Sequence, residues 1–273
     1  MASQWFRVDD GYFDSDVGSR IELAAVRVQF VIAIATIAAI IIFRQLFEPR
    51  DIKMKLYGAL ASPYVARAIL FAKIKGVDLP VGSPPGGRPG TDEYKAFTPI
   101  GKIPSLDVDG VCIPESEVIC EYIEDMYPEP SGLPADPLGR AQSRTVSRIV
   151  DLYLAPVTGE LARQVNPDKR DAAVVEKNAA TLEKIWGYLE HYMGPGPFAV
   201  GAAPTLGDCA LGPHMAMCKV LVFANFDTIP DPTETNPRIK AWWEAMQTNE
   251  ICKPLLDEYA VAFDQMMAYF RKM

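Results

Sequence analysis

The sequence has few of the residues that build metal centres and disulfide frameworks. Its 273 residues include five cysteines, an odd number with no Cys-x-x-Cys pair, and only two histidines, His191 and His214. So few ligands at such spacings predict neither a disulfide framework nor a zinc site. We assign no metal and give neither histidine a role. Unpaired thiols are typical of a reducing compartment.

The sequence also lacks an excess of positive charge. Lys and Arg number 27 against 35 Asp and Glu, for a net charge of −8, and the isoelectric point is near 4.9. A nucleic-acid partner is therefore not expected, because such partners need a basic patch. The composition is otherwise that of an ordinary globular protein, with 49% apolar and 23% charged residues.

Residues 1–53 differ from the rest of the chain. Residues 30–43 run without a charge, with Thr36 as their only polar member. The apolar segment extends back to about 26, past Arg27, and ends at 43, before Arg44. That is short for a membrane span, which needs about 20 apolar residues, unless Arg27 and Arg44 reach the lipid headgroups. Two interpretations stay open: a membrane anchor with the following chain in the cytoplasm, or translation that truly starts at Met54.

Residues 54–130 have the pattern of a small α/β domain. Strands are predicted at 55–58, 79–81, 105–108 and 111–113, and helices at 63–75 and 116–127. Asp109-Gly110 between two strands is a strong hairpin signal. Pro80 places the second strand at an edge of the sheet. A right-handed crossover is expected between the first two strands.

From residue 137 onward the pattern is helical throughout, after a linker at 128–136 that is rich in proline and glycine. Helices are predicted near 137–154, 157–165, 170–193, 205–223, 237–248 and 252–271. The fold class is therefore an α/β domain at 54–130 followed by an all-α domain at 137–273. Thr205 and Asp208 form a capping box, which we interpret as structural.

Ser62-Pro63 is the first candidate site. A serine followed by proline is an ordinary helix start, but this serine follows the first strand at the carboxyl edge of the sheet, where open α/β sheets bind ligands. The helix N-terminus favours an anion there, and a bound thiol would shift towards the thiolate.

Two further segments are candidates for ligand binding. The segment 101–104 ends in Ile103-Pro104; a cis peptide bond there would free the Ile103 backbone to pair with an extended peptide. At the start of the second helix, Glu115 could pair with a ligand ammonium group. Ser116, a candidate N-cap, and the helix amides could hold a carboxylate.

These features, in this order, resemble the cytosolic glutathione transferase superfamily over about residues 54–270. The hexapeptide at 62–67, Ser-Pro-Tyr-Val-Ala-Arg, is similar to the Ser/Cys-Pro-aromatic-x-x-Arg signature of the tau- and omega-like classes. The segment 101–104, Gly-Lys-Ile-Pro, is similar to the family's cis-proline segment. Glu115-Ser116 and the capping box at 205–208 also match family patterns.

The resemblance implies a thioredoxin-like N-terminal domain, a helical C-terminal domain, glutathione as co-substrate and a homodimer. It implies that Ser62 stabilises the glutathione thiolate. It also implies that Ile103, before the cis Pro104, pairs with the cysteinyl unit of glutathione. Glu115 and Ser116 would bind the γ-glutamyl end and Lys102 the glycyl carboxylate. Tyr64 and Tyr153 would contact the acceptor. Serine in place of cysteine at 62 argues against disulfide exchange, because no mixed disulfide can form there.

Three functions are compatible with this resemblance. The first is transfer of the glutathione sulfur to an electrophilic, apolar small molecule. The second is glutathione-dependent ether cleavage or isomerisation of aromatic-derived compounds. The third is a non-catalytic module that carries ligands or assembles proteins at a membrane. A cytoplasmic location is expected for each, with the catalytic part facing the cytoplasm if the apolar segment is an anchor.

Overall fold

The computed structural model describes residues 34–38 and 52–271, with side chains as far as residue 268. The chain divides into two compact units, residues 1–52 and 53–273. In the first unit, residues 34–38 are helical and exposed, with Ile34 and Ile37 each more than half accessible. The rest of the apolar segment predicted at 26–43 lies outside the described residues.

A four-stranded mixed sheet opens the second unit. Its strands are β1 (Met54–Tyr57), β2 (Val81–Gly82), β3 (Ser105–Val108) and β4 (Val111–Pro114), in the order β2-β1-β3-β4. β1 and β2 are parallel, and the other neighbours are antiparallel. The second strand was predicted two residues too early: proline has no N–H to donate, so Pro80 contributes only its carbonyl, which accepts from Leu56 at 2.8 Å.

Three helices accompany the sheet: α1 (Pro63–Ile74), α2 (Asp92–Phe97) and α3 (Ser116–Met126). The hairpin at Asp109-Gly110 is confirmed, with both residues at positive φ (50° and 87°) as a two-residue turn requires. Helix α2 was not predicted, because its six residues follow a proline- and glycine-rich stretch. Thr91 begins it by accepting from the Tyr94 amide at 3.3 Å.

The remaining chain is helical, as predicted, with bounds that differ in places and with one short helix, at 232–235, that was not predicted. The helices are α4 (Pro137–Ile149), α5 (Ala155–Ala162), α6 (Ala172–Tyr192), α7 (Leu206–Cys218), α8 (Pro232–Thr235), α9 (Pro237–Thr248) and α10 (Cys252–Arg271). A π-helical turn, Val150–Leu154, joins α4 to α5 without a break. Pro156 explains it, because a proline cannot donate to the carbonyl four residues earlier, that of Leu152.

Helix α7 is the centre of the core. Every residue of α7 is buried, and it packs against α1, α4 and α10. The capping box is confirmed, since Thr205 and Asp208 exchange side-chain and backbone hydrogen bonds. Within the described residues one helical stretch, Leu206–Phe223, is apolar and long enough to cross a membrane. It is 83% buried inside the protein, as the core helix of a globular protein is.

Candidate functional site

A cavity of about 550 Å³ opens where the carboxyl edge of the sheet meets the helical part of the chain. Its walls come from α1, the loop before β3, the start of α3 and the π-helical turn. The lining residues are Tyr64, Ile100, Lys102, Ile103, Pro104, Pro114, Glu115, Ser116, Glu117, Val118, Arg148, Asp151 and Leu152. Six of the eight predicted site residues therefore lie on one cavity.

The loop before β3 presents free backbone to this cavity. The Ile103–Pro104 peptide bond is cis. On α2, the buried Tyr94 hydroxyl donates to the Lys102 carbonyl at 2.9 Å and contacts the Ser105 hydroxyl at 2.7 Å, which holds the loop in place. Within the described part of the chain neither the Ile103 N–H nor its carbonyl has a hydrogen-bond partner. Both are available to an extended peptide, which would pair as an added strand does.

The N-terminus of α3 forms the wall beside this loop, because Ser105 and Pro114 pair in neighbouring strands. Glu115, not Ser116, is the N-cap; it has a φ of 68° and an exposed side chain, and Ser116 is the first helical residue and is buried. The prediction of Ser116 as N-cap was therefore wrong by one residue. The first amides of the helix, at 116–118, have no partner within it, so this wall favours an anion.

Ser62 and Tyr153 do not line the cavity. Ser62 is the N-cap of α1, two residues before Tyr64, and its hydroxyl makes no hydrogen bond to any described residue. Its carbonyl accepts from the Ala66 amide at 2.9 Å. Tyr153 is half exposed and packs edge-on against Tyr188, with ring centroids 6.0 Å apart.

A buried ion-pair cluster underlies the cavity, and sequence reasoning missed it. Arg67 of α1 is fully buried; its guanidinium donates to Asp151 at 2.5 and 3.0 Å and to Glu117 at 3.3 Å. Burial opposes the positive charge of Arg67, but the Asp151 hydrogen bonds outweigh it and raise the Arg67 pKa. Burial raises the Glu117 pKa despite a hydrogen bond from Ser147. The one sign of this cluster in the sequence was the positive charge of Arg67 on an otherwise apolar face of α1.

His214 lies behind Tyr64, with ring centroids 5.1 Å apart. It is fully buried, and burial together with the Arg67 charge lowers its pKa to about 4, so the imidazole is neutral near pH 7. Nδ1 donates to the Ala210 carbonyl at 2.9 Å, since a carbonyl only accepts. Nε2 has no partner among the described atoms.

These groups suit a short, extended peptide with charged ends. The α3 amides and Ser116 can hold a carboxylate, Glu115 an ammonium group, the Ile103 backbone a peptide unit, and Lys102 a second carboxylate. All five cysteines are free. No cluster of three or more metal-ligating side chains occurs over the described residues.

Comparisons with known proteins agree with this geometry. Residues 56–131 match the family model for the glutathione S-transferase N-terminal domain, and residues 172–245 that for the C-terminal domain. A probable glutathione S-transferase BZ2 of Zea mays is 30% identical over 80% of this chain and 98% of its own length.

An isomerase and a solved crystal structure are also similar to this chain. A maleylacetoacetate isomerase of Pseudomonas aeruginosa is 31% identical over 59% of this chain and 80% of its own length. The tau-class glutathione S-transferase of Mangifera indica, a crystal structure, superposes with a TM-score of 0.65 at 25% identity, over 79% of this chain and 97% of the other.

Proposed function

Because the chain belongs to the glutathione S-transferase family, we propose that it transfers the sulfur of glutathione to an electrophilic, apolar small molecule. Glutathione, the co-substrate of this family, is a tripeptide with a free amino end and two carboxylates. The observation that carries the proposal is the cavity itself. The free Ile103 backbone, the α3 N-terminus, Lys102 and Glu115 all line it.

In this proposal the loop before β3 and the start of α3 hold the tripeptide by its ends and its middle. Glu115 and Ser116 bind the γ-glutamyl end, and the Ile103 N–H and carbonyl pair with the cysteinyl unit, with Pro104 shaping that turn. Lys102 binds the glycyl carboxylate. This arrangement directs the cysteinyl sulfur towards the N-terminus of α1, where Ser62 lies.

Ser62 stabilises the thiolate in the proposed reaction. Its hydroxyl is without a partner among the described residues and can donate to the sulfur, and the adjoining helix N-terminus favours the negative charge. The thiolate gives its electron pair to an electrophilic carbon, a C–S bond forms, and the leaving group departs with its bonding pair. Catalysis then needs little beyond thiolate formation and proximity.

The acceptor would lie on the apolar part of the same cavity. Tyr64, Val118 and Leu152 line it, and Tyr153 lies one residue beyond Leu152. Since this wall combines apolar groups with the half-exposed Arg148, the proposed acceptor is an apolar molecule that keeps one polar group near the mouth.

The test is a Ser62→Ala variant, with Ser83→Ala as control because Ser83 is exposed and outside the cavity. Loss of one donor to a developing anion costs about a hundredfold in turnover, so we expect a fall of that order with 1-chloro-2,4-dinitrobenzene. Glutathione affinity, measured by calorimetry, should change little. The ultraviolet absorbance of the bound thiolate should titrate at higher pH. Full activity in Ser62→Ala would show that the assigned role is wrong.

Isomerisation is a second candidate, favoured by the similarity to a maleylacetoacetate isomerase. In that reaction the thiolate would add to a cis double bond, the new single bond would rotate, and loss of the same thiolate would restore glutathione and give the trans product. Incubation with maleylacetoacetate and catalytic glutathione distinguishes the two. Isomerisation leaves free thiol constant, whereas conjugation consumes it.

We further propose a cytoplasmic homodimer that works in detoxification and is held at a membrane by the apolar segment 26–43. The dimer is supported by what is usual in the family, and the membrane attachment by the uncharged run at 30–43. Sedimentation of the full chain tests the dimer. Its partitioning with vesicles, compared with a version that begins at Met54, tests the anchor; equal partitioning of both would contradict it.

A further inference from the structure

A second cavity, of about 690 Å³, lies between α6 and the segment 228–236 and shares no residue with the first. The α6 side of this groove carries Ala179, Ala180 and Gly187. Open space surrounds Gly187, since a Cβ added there would meet no atom within 4 Å. Its volume is in the range of drug-sized ligand sites, about 300–1,000 Å³.

The groove is acidic along its length. Glu176, Glu183 and Glu190 line it at intervals of seven residues, so they share one face of α6 and span about 21 Å at 1.5 Å per residue. None of the three forms an ion pair with a described residue, and no Lys or Arg lines the groove. Glu190 accepts only from the Asn236 amide, at 2.9 Å.

The floor of the groove is apolar and includes an unpaired donor. Leu182, Trp186 and Ile229 form it, each less than a tenth exposed. Trp186 is only 6% exposed, and its indole N–H has no hydrogen-bond partner anywhere in the described chain. The described buried polar atoms that lack a partner do not include this indole nitrogen, so its N–H is accessible to solvent. The indole thus offers both an aromatic surface and a donor to a bound molecule.

We propose that this groove binds organic cations, specifically aromatic compounds that carry a protonated amine. The aromatic body covers Leu182, Trp186 and Ile229, and an acceptor atom on the ligand takes the indole N–H. The ammonium group lies among the carboxylates of α6, which have no positive partner of their own. An indole face also attracts a cation directly. The site is separate from the glutathione cavity and does not depend on the reaction there.

The probe is dansylcadaverine, which combines a naphthalene ring, sulfonyl acceptors and a primary amine and fluoresces more strongly in apolar surroundings. Its N-acetyl derivative keeps the body and removes the charge. Titration into the full chain should show saturable binding of the amine and at least about tenfold weaker binding of the acetylated form. The affinity should fall as salt is raised, because exposed charges are screened.

Two variants locate the site. Glu183→Gln keeps the shape of the side chain and removes one charge. We expect the Kd for dansylcadaverine to rise about threefold, since an exposed ion pair contributes up to about 1 kcal/mol. The control is Glu258→Gln, on α10. Gly187→Leu fills the groove and should abolish binding, whereas Gly159→Leu, at another helical glycine with open space around it, should not. Circular dichroism checks that each variant is folded.

Four results would overturn the proposal. These are no saturable binding of dansylcadaverine, equal binding of its acetylated form, equal loss in Gly187→Leu and Gly159→Leu, and full binding in Gly187→Leu. Binding of a lysine-rich amphipathic peptide without binding of the amine would assign the groove to a protein partner instead. Bound glutathione should leave the amine affinity unchanged, so failure here is distinct from failure of the transferase assignment.

Discussion

The Arg67 cluster joins α1 to the π-helical turn, and its contribution to stability can be worked out from its geometry. Arg67 is fully buried and holds Asp151 by two hydrogen bonds and Glu117 by one. Removing one partner of a buried pair costs about 3–5 kcal/mol. Because Asp151 retains 15% exposure and Glu117 remains at 3.3 Å, we expect Asp151→Asn to lower the free energy of unfolding by about 2–3 kcal/mol.

Urea unfolding of the full chain, followed by circular dichroism, measures this loss. In a thermal melt it corresponds to a decrease of about 4–12 °C in Tm, at about 2–4 °C per kcal/mol for a unit of this size. The matched control is Arg148→Gln, because Arg148 contacts the same carboxylate at 3.3 Å but is half exposed. Its loss should stay below about 1 kcal/mol. Equal losses in both variants would refute the reasoning that burial decides the strength of the pair.

Two other predictions concern buried groups. The pKa of His214 is about 4 in the folded protein and about 6.5 when unfolded. Between these values only the unfolded state binds the proton. The free energy of unfolding therefore falls as pH decreases from 6.5 to 4, by about 3 kcal/mol in total. His214→Gln should reduce that pH dependence in urea unfolding and His191→Gln should not; unchanged slopes would contradict it. Asp208 is buried and accepts from the Ala199 and Thr205 amides and the Trp242 indole at 2.7–2.8 Å. The Thr205 hydroxyl also donates to it, at 2.9 Å. Asp208→Ala therefore leaves four buried donors without this acceptor and should lower the free energy of unfolding by about 4 kcal/mol or more. A loss under 1 kcal/mol would show that water replaces the carboxylate.

Much of the site could be predicted because it depends on local signals. Proline and glycine fix the chain around 101–104, and a helix N-terminus attracts anions wherever it occurs. The sequence therefore identified Lys102, Ile103 and Glu115, which the structure brings to one cavity. The error at Ser116 has the same origin: serine is a preferred N-cap, but the positive φ of Glu115 moved the helix start by one residue.

The rest of the site could not be predicted, because it depends on contacts far apart in the chain. Asp151 and Leu152 reach the cavity through a π-helical turn, and a helical periodicity gives no sign of that turn. The partners Arg67 and Asp151 are 84 residues apart, and a single sequence does not show which charges will meet. Tyr153, beside them, pairs with Tyr188 instead of lining the cavity.

The sequence by itself determined the four strands, the helices other than α2 and α8, the hairpin and the capping box, since each follows from the conformational preferences of neighbouring residues. Its motifs also carried the resemblance to the family. The tertiary structure alone decided which charges are buried together, that His214 is neutral behind Tyr64, and that α6 borders an acidic groove with Trp186 in its floor. The physical reason is that burial and pairing are properties of the packed chain, where distant segments exclude water from one another.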